Sequence, residues 1–291
     1  MITMAVRKPK PHWLKKRLTS NPTGKRVRAI LESGRLHTIC DEARCPNQGD
    51  CYSRGTATFL ILGKRCTRSC RFCAVVHGPE CAPDPDEPLH VAETVRHLDL
   101  NYVVVTSVTR DDLPDGGASH FAETITHIRS LSPGTLIEVL IPDFRESNDA
   151  LGIVIAAAPD VIGHNVETIP RLYPSARPGA DYRFSLNVLK RTVAMNPGIP
   201  AKSGIMLGLG EEADEIRRTL SDIRETGCSL LWLGQYLQPD SGCIPVERYV
   251  TPDEFSVWRD EALEKGFSGV ASGPFVRSSY QAEELYPSVK V

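Results

Sequence analysis

The stretch Ala57-Thr58-Phe59-Leu60-Ile61-Leu62-Gly63-Lys64-Arg65-Cys66-Thr67-Arg68-Ser69-Cys70-Arg71-Phe72-Cys73 joins two kinds of signal. Its first six residues form a short apolar run of the kind that makes a strand buried on both faces, as in parallel sheets. Three cysteines follow within eight residues, immediately beyond the carboxyl end of that strand, where parallel-sheet and barrel enzymes place their chemistry. A four-iron, four-sulfur cluster takes one external ligand per iron, usually four thiolates. Cys66, Cys70 and Cys73 therefore leave one iron open to a small molecule. A structural zinc site is the alternative, but such sites pair two-cysteine hooks to complete four ligands.

Downstream, strand and helix patterns alternate. Val91, Val95 and Leu98 recur at helical spacing before the strand-like run 102–106, and Phe121, Ile125, Ile128 and Leu131 mark a helix with Ser119 at its N-cap. Runs at 136–141, 161–163, 204–209 and 230–236 supply four more strands, with helices between them. Thr251-Pro252-Asp253-Glu254 has a cap hydroxyl, a proline at the first helical position and a glutamate three residues after the cap. Six such units predict an α/β fold, a partial (β/α)6 barrel over residues 56–267. A cysteine-rich N-terminal extension (1–55) precedes it and a C-terminal extension (268–291) follows.

Upstream lies a second cysteine group, Cys40, Cys45 and Cys51, in a segment whose Pro46, Asn47 and Gly49 favour a loop wrapped around something. It is again one ligand short. Spacing alone allows the six cysteines to serve one metal centre or two.

The chain has 291 residues, 41% of them apolar and 24% charged, with a formal net charge of −2, so its overall balance calls for neither nucleic acid nor membrane. Nine cysteines, six of them in two tight groups, argue for metal ligation in a reducing, cytoplasmic compartment rather than a disulfide framework. The longest apolar run, Leu151 to Ala158, is too short to span a bilayer. The first 31 residues hold nine Lys or Arg and no acid, a basic arm with Lys15, Lys16 and Arg17 at its centre. His90, His97, His120 and His127 fall on helical segments and are expected at the surface.

Cys-x3-Cys-x2-Cys with Phe72 before the last cysteine is similar to the signature of the radical S-adenosylmethionine superfamily. Over nearly the whole chain the sequence resembles the lipoyl synthase family. The text CDEARCPNQGDC at 40–51, TSVTRDDLPDGGASHF at 106–121, KSGIMLGLGE at 202–211, GQYLQP at 234–239 and RSSY at 277–280 carry that resemblance. It implies two separate four-iron clusters, one on Cys66, Cys70 and Cys73, and an auxiliary one on Cys40, Cys45 and Cys51 with Ser279 as an unusual fourth ligand. It implies S-adenosylmethionine as the radical source and a reaction in which the auxiliary cluster gives up two sulfur atoms to carbons 6 and 8 of a protein-bound octanoyl-lysine.

The implied partners are octanoylated lipoyl carrier domains, those of 2-oxoacid dehydrogenase E2 subunits and of the glycine cleavage H protein. An electron donor such as ferredoxin or flavodoxin is also implied, and the chain is expected to be a monomer. Thr106, Ser107, Asn165, Glu167, Gly204 and Gly208 lie at strand ends and are expected to meet S-adenosylmethionine. No catalytic side chain is expected beyond the cluster ligands. Acidic carrier domains would suit the basic arm. Cys81, Cys228 and Cys243 are read as small apolar fillers, Cys243 standing where related sequences usually carry histidine.

Overall fold

A computed structural model of the chain describes residues 9–16 and 21–286. Eight strands form one sheet in chain order: β1 (His37–Thr38), β2 (Thr58–Ile61), β3 (Tyr102–Ser107), β4 (Leu136–Leu140), β5 (Val161–Gly163), β6 (Ala201–Leu207), β7 (Leu230–Gln235) and β8 (Gly269–Gly273). β1 runs antiparallel to β2, and every later neighbour is parallel. β8 does not pair back to β1 or β2, so the sheet is an open arc.

Each parallel strand from β2 to β7 is followed by a helix. Helix Glu87–Leu98 lays Val91 and Val95 against the sheet, and Ala118–Leu131 does the same with Phe121, Ile125 and Ile128. The capping box at Thr251 and Glu254 forms as its sequence requires, starting helix Pro252–Glu264. Helix Ala118–Leu131 instead takes Gly117 as its cap residue; the Asp115 carboxylate accepts the amides of Gly117 and Ser119, leaving Ser119 inside the helix.

Two differences from the sequence expectation matter. β8 is a seventh parallel strand, in a segment expected to be an extension, because Gly269-Val270-Ala271-Ser272-Gly273 carries almost none of the β-branched and aromatic residues that advertise a strand. Its pairing along β7, from Gly269 opposite Leu230 to Gly273 opposite Gly234, places it. His120 is also not at the surface: it is 8% exposed and its Nε2 lies 2.7 Å from Glu87, whose Oε2 accepts the Leu62 amide.

Strand alternation divides the sheet into two unlike faces. The outer face is apolar, with Phe59, Ile61, Val103, Val105, Ile137 and Val139 under the helices. The inner face, by cross-strand register, carries Thr58, Tyr102, Thr106, Glu138, Lys202 and Trp232. Buried polar groups on one face of a sheet need partners. Among the described residues no helix is long and apolar enough to cross a membrane.

Candidate functional site

The first triad sits on the loop after β2. Cys66 is tied back to the loop after β3, since its Sγ accepts the amides of Thr109 (3.3 Å) and Arg68 (3.4 Å) while Thr67 donates its amide to the Thr109 carbonyl. The loop is pinned by Arg68, whose fork meets Asp111 at 2.8 Å and Asp143 at 2.5 and 2.7 Å, both loops at the carboxyl ends of neighbouring strands. Burial works against ionisation of Asp143, but the hydrogen bonds and charge of Arg68 draw it down to about 2. Burial pushes Cys73 up to about 12 and raises Cys70 as well, the latter opposed by the Arg177 guanidinium beside it. Cys243 Sγ lies 3.5 Å from the Cys73 carbonyl, at the edge of this triad. Cys81 is exposed, and Cys228 is buried with its thiol donating to the Ala201 carbonyl, so only the latter is an interior filler.

The second triad is built from the N-terminal extension. Cys40 lies in a four-residue helix, Ile39–Glu42, capped by Thr38, and Cys51 in helix Gln48–Ser53; Cys45 donates its amide to the Cys40 carbonyl. Burial first, and then the neighbouring Cys45, push Cys40 up to about 12, and burial does the same to Cys51. Cys40 also touches Thr58 at the start of β2. Thr58 donates to Ser279 Oγ at 2.8 Å across 221 residues of sequence, and Cys51, Thr58, Tyr102, Ser279 and Tyr280 line one cavity. Cys40, Cys51 and Ser279 thus share the surroundings of Thr58.

Four long-range contacts hold the C-terminal segment there. Asn47 donates to the Phe275 carbonyl at 2.6 Å, Tyr280 donates to Asp50 at 2.9 Å, and Lys16 sits over the rings of Phe275 and Tyr280. A Cβ on Gly234 would lie 2.1 Å from the Val276 carbonyl oxygen, so glycine there lets this backbone lie on β7. Lys16 also donates to Asn47 at 2.8 Å, which makes it part of the second triad's frame instead of a free steering charge. Arg17 lies outside the described residues.

The two triads occupy opposite ends of β2. From Thr58 to Leu62 the strand advances roughly 13 Å at ~3.3 Å per residue. Charged side chains line the interval between them. Glu167 faces Arg177 on the first triad's side and Arg277 on the second's, while Arg277 in turn faces Cys45. Burial raises the carboxyl of Glu167 and lowers Arg277. Glu167 holds a left-handed φ of +71° where it bridges to β6 beside Ile205.

The residues expected to meet S-adenosylmethionine divide by what already occupies them. Thr106 donates to the Leu140 carbonyl, and Asn165 Oδ1 accepts Trp232 Nε1 at 2.9 Å. A Cβ on Gly204 would strike the Trp232 ring at 2.3 Å, and one on Gly208 would strike Gln235 and the Arg248 carbonyl, so both glycines accommodate protein neighbours. The buried atoms Ser107 Oγ and His164 Nε2 have no protein partner, and burial lowers His164 to about 4, leaving a neutral ring whose Nδ1 is bonded to the Ile141 carbonyl. Both atoms keep an unmet hydrogen-bonding capacity inside the protein.

All nine cysteines are free thiols, and among the described residues no three His, Cys, Asp or Glu side chains converge as the ligands of a single ion would. Two sets of three thiols, all half-buried except the buried Cys40, one set with amide donors on a sulfur and the other with a hydroxyl alongside, fit four-iron clusters by donor chemistry. Sequence reasoning missed Arg68, Asp143, Arg177, Glu138 and Lys202. For the last two a signal was present: each is a lone charge inside an otherwise uncharged strand, Leu-Ile-Glu-Val-Leu and Ala-Lys-Ser-Gly-Ile-Met-Leu.

Residues 60–223 match the radical SAM superfamily. A lipoyl synthase from Desulfotalea psychrophila is 53% identical over 97% of this chain and 94% of its own length, and one from Verminephrobacter eiseniae is 54% identical over 94% and 83%. Among solved structures, methylornithine synthase aligns at a TM-score of 0.56 with 15% identity, covering 84% of this chain and 74% of its own. Coproporphyrinogen III oxidase from Escherichia coli, a radical SAM enzyme, aligns at 0.54 with 12% identity over 76% and 56%. These two likenesses concern the fold.

Proposed function

The chain belongs to the lipoyl synthase family of the radical S-adenosylmethionine superfamily, and from that premise we propose that its two cysteine triads hold two four-iron clusters with separate duties. The activity is insertion of two sulfur atoms into the octanoyl chain of a lipoyl carrier protein. When bound, the clusters and S-adenosylmethionine supply the electron, the hydrogen-abstracting radical and the sulfur.

The protein's own contribution is placement. Cys66, Cys70 and Cys73 hold the first cluster at the carboxyl ends of the strands, their loop fixed by Arg68. Ser107 Oγ and His164 Nε2, both without protein partners, serve S-adenosylmethionine, with Glu167 nearby. Thr106, Asn165, Gly204 and Gly208 shape the wall against which it rests. Cys40, Cys45 and Cys51 hold the second cluster, with Ser279 as the fourth ligand. A hydroxyl is a weaker iron ligand than a thiolate, which suits a cluster that is opened in the reaction. Arg277 offsets the anionic charge gathered there. The observation that carries this reading is the meeting of Ser279 with Thr58, itself in contact with Cys40.

The substrates are octanoylated carrier domains of 2-oxoacid dehydrogenase E2 subunits and of the glycine cleavage H protein, with ferredoxin or flavodoxin as electron donor. The free thiols support a reducing, cytoplasmic setting. We take the three segments 1–55, 56–267 and 268–291 as one functional body, with β8 belonging to the central one.

Anaerobic reconstitution tests the assignment: about eight irons and eight sulfides per chain are expected, falling to about four in Cys40→Ala, from cluster stoichiometry. Ser279→Cys keeps about eight irons but slows two-sulfur product on an octanoyl-lysyl peptide by tenfold or more, as a clamped ligand predicts. Unchanged turnover in that variant counts against the labile-ligand reading.

A further inference from the structure

On the inner face, β3, β4 and β6 bring three polar side chains into one bonded group. Lys202 Nζ donates to both oxygens of Glu138, at 2.8 and 2.9 Å, and Glu138 Oε2 also accepts the Tyr102 hydroxyl at 2.6 Å. Lys202 and Glu138 are 1% and 0% exposed at their side chains. An ammonium has three N–H donors, and the third goes to the Ser278 carbonyl at 2.7 Å.

A fully buried ion pair is a poor way to gain stability, because desolvation cancels most of the attraction and an apolar pair of like volume is often as stable. Here the pair does something no apolar side chain can do, in gripping a backbone carbonyl of a segment with little regular structure of its own. That carbonyl belongs to the residue directly before Ser279. Two residues earlier the same backbone lies on Gly234, and at the next residue Ser279 Oγ meets Thr58. Ser278 Oγ is buried without a partner, so its side chain does not anchor the segment; its carbonyl does.

We infer that Lys202 is a positioning residue for the second triad: oriented by Glu138, its ammonium holds the Ser278 carbonyl and so sets Ser279 against Cys40, Cys45 and Cys51. This rests on the reading of Ser279 as the fourth ligand. Lys202 touches neither substrate nor reacting atoms. Its effect passes through one peptide unit.

The test uses the reconstituted full chain with Lys202→Met and Glu138→Gln together, so that no charge is left buried alone. An iron chelator should strip about four of the irons tenfold or more faster than in wild type, the factor carried by one charge-assisted hydrogen bond. Formation of 5′-deoxyadenosine from S-adenosylmethionine, which reports the first centre, should persist. Adding Ser279→Ala should give no further acceleration, since both changes act on one ligand. In cluster-free protein, trypsin should cut after Arg277 faster than in wild type.

If Ser279→Ala alone accelerates stripping while the Lys202/Glu138 variant strips at the wild-type rate, the inference is overturned and the ligand reading stands. If Ser279→Ala strips at the wild-type rate, the ligand reading fails and takes the inference with it. Should the double variant not fold, Tyr102→Phe keeps both charges and frees one oxygen of Glu138; it should quicken stripping severalfold, the share of one hydrogen bond to a carboxylate passed on through Lys202, and a wild-type rate there overturns the inference.

Discussion

The two cysteine triads look alike in sequence and are assembled by different physics. The first is local: its three thiols fall within eight residues, on a loop between the end of β2 and the pins that Arg68 sends to Asp111 and Asp143. The second draws on both ends of the chain: Thr58, which Cys40 touches, meets Ser279 from 221 residues away. A local site survives as long as its loop is pinned. A site closed across the whole chain depends on every contact that brings the far segment home.

The contrast is broken most severely by Arg68→Met. It strands Asp143, whose side chain is only 3% exposed, and breaking a buried pair on one side costs about 3–5 kcal/mol. Chemical unfolding should show that loss, and iron counting should show the first centre depleted with the second retained. The converse is expected of Gly234→Ala, which forces a Cβ into the Val276 carbonyl and displaces the segment carrying Ser279. Overpacking of this kind costs about 1–3 kcal/mol, and iron should fall from the second centre while S-adenosylmethionine cleavage continues. Equal loss from both centres would mean the triads are not independent.

Acid sharpens the same comparison. Asp143 ionises near 2 when folded and at 3.8 ordinarily, so the pair's contribution is complete above pH 4 and disappears as pH falls through 2. The linked loss is about 2 kcal/mol. Urea midpoints of the cluster-free chain between pH 5 and pH 2 should fall accordingly, and Asp143→Asn should flatten that slope. The smallest effect is expected from Lys16→Ala. That change removes a partly exposed hydrogen bond and two ring contacts from the second triad's frame, costing about 1 kcal/mol. Stripping of the second centre should quicken modestly, with the first unaffected.

The legible parts of the molecule were those written over short stretches. Apolar runs and helical spacing disclosed six of the seven parallel strands, and the Thr251 cap box marked a helix start to the residue. β8 escaped because small residues leave no pattern, and only the neighbouring β7 gives it a place. His120 escaped because a helix's own sequence does not say that Glu87, 33 residues away, will meet its ring. Lys202 and Glu138 are lone charges in their strands, and nothing local tied them to each other or to Ser278.

By itself the sequence determined that three cysteines fall within eight residues at Cys66, Cys70 and Cys73, and it determined the strand-then-helix rhythm, since each is fixed by bonds and spacings a few residues long. Only the tertiary structure decided that Ser279 meets Thr58 beside Cys40, that the triads sit at opposite ends of β2, and that a buried ammonium grips the Ser278 carbonyl. Those arrangements depend on the register of parallel strands joined through long crossovers, and register is settled by the packing of the whole sheet.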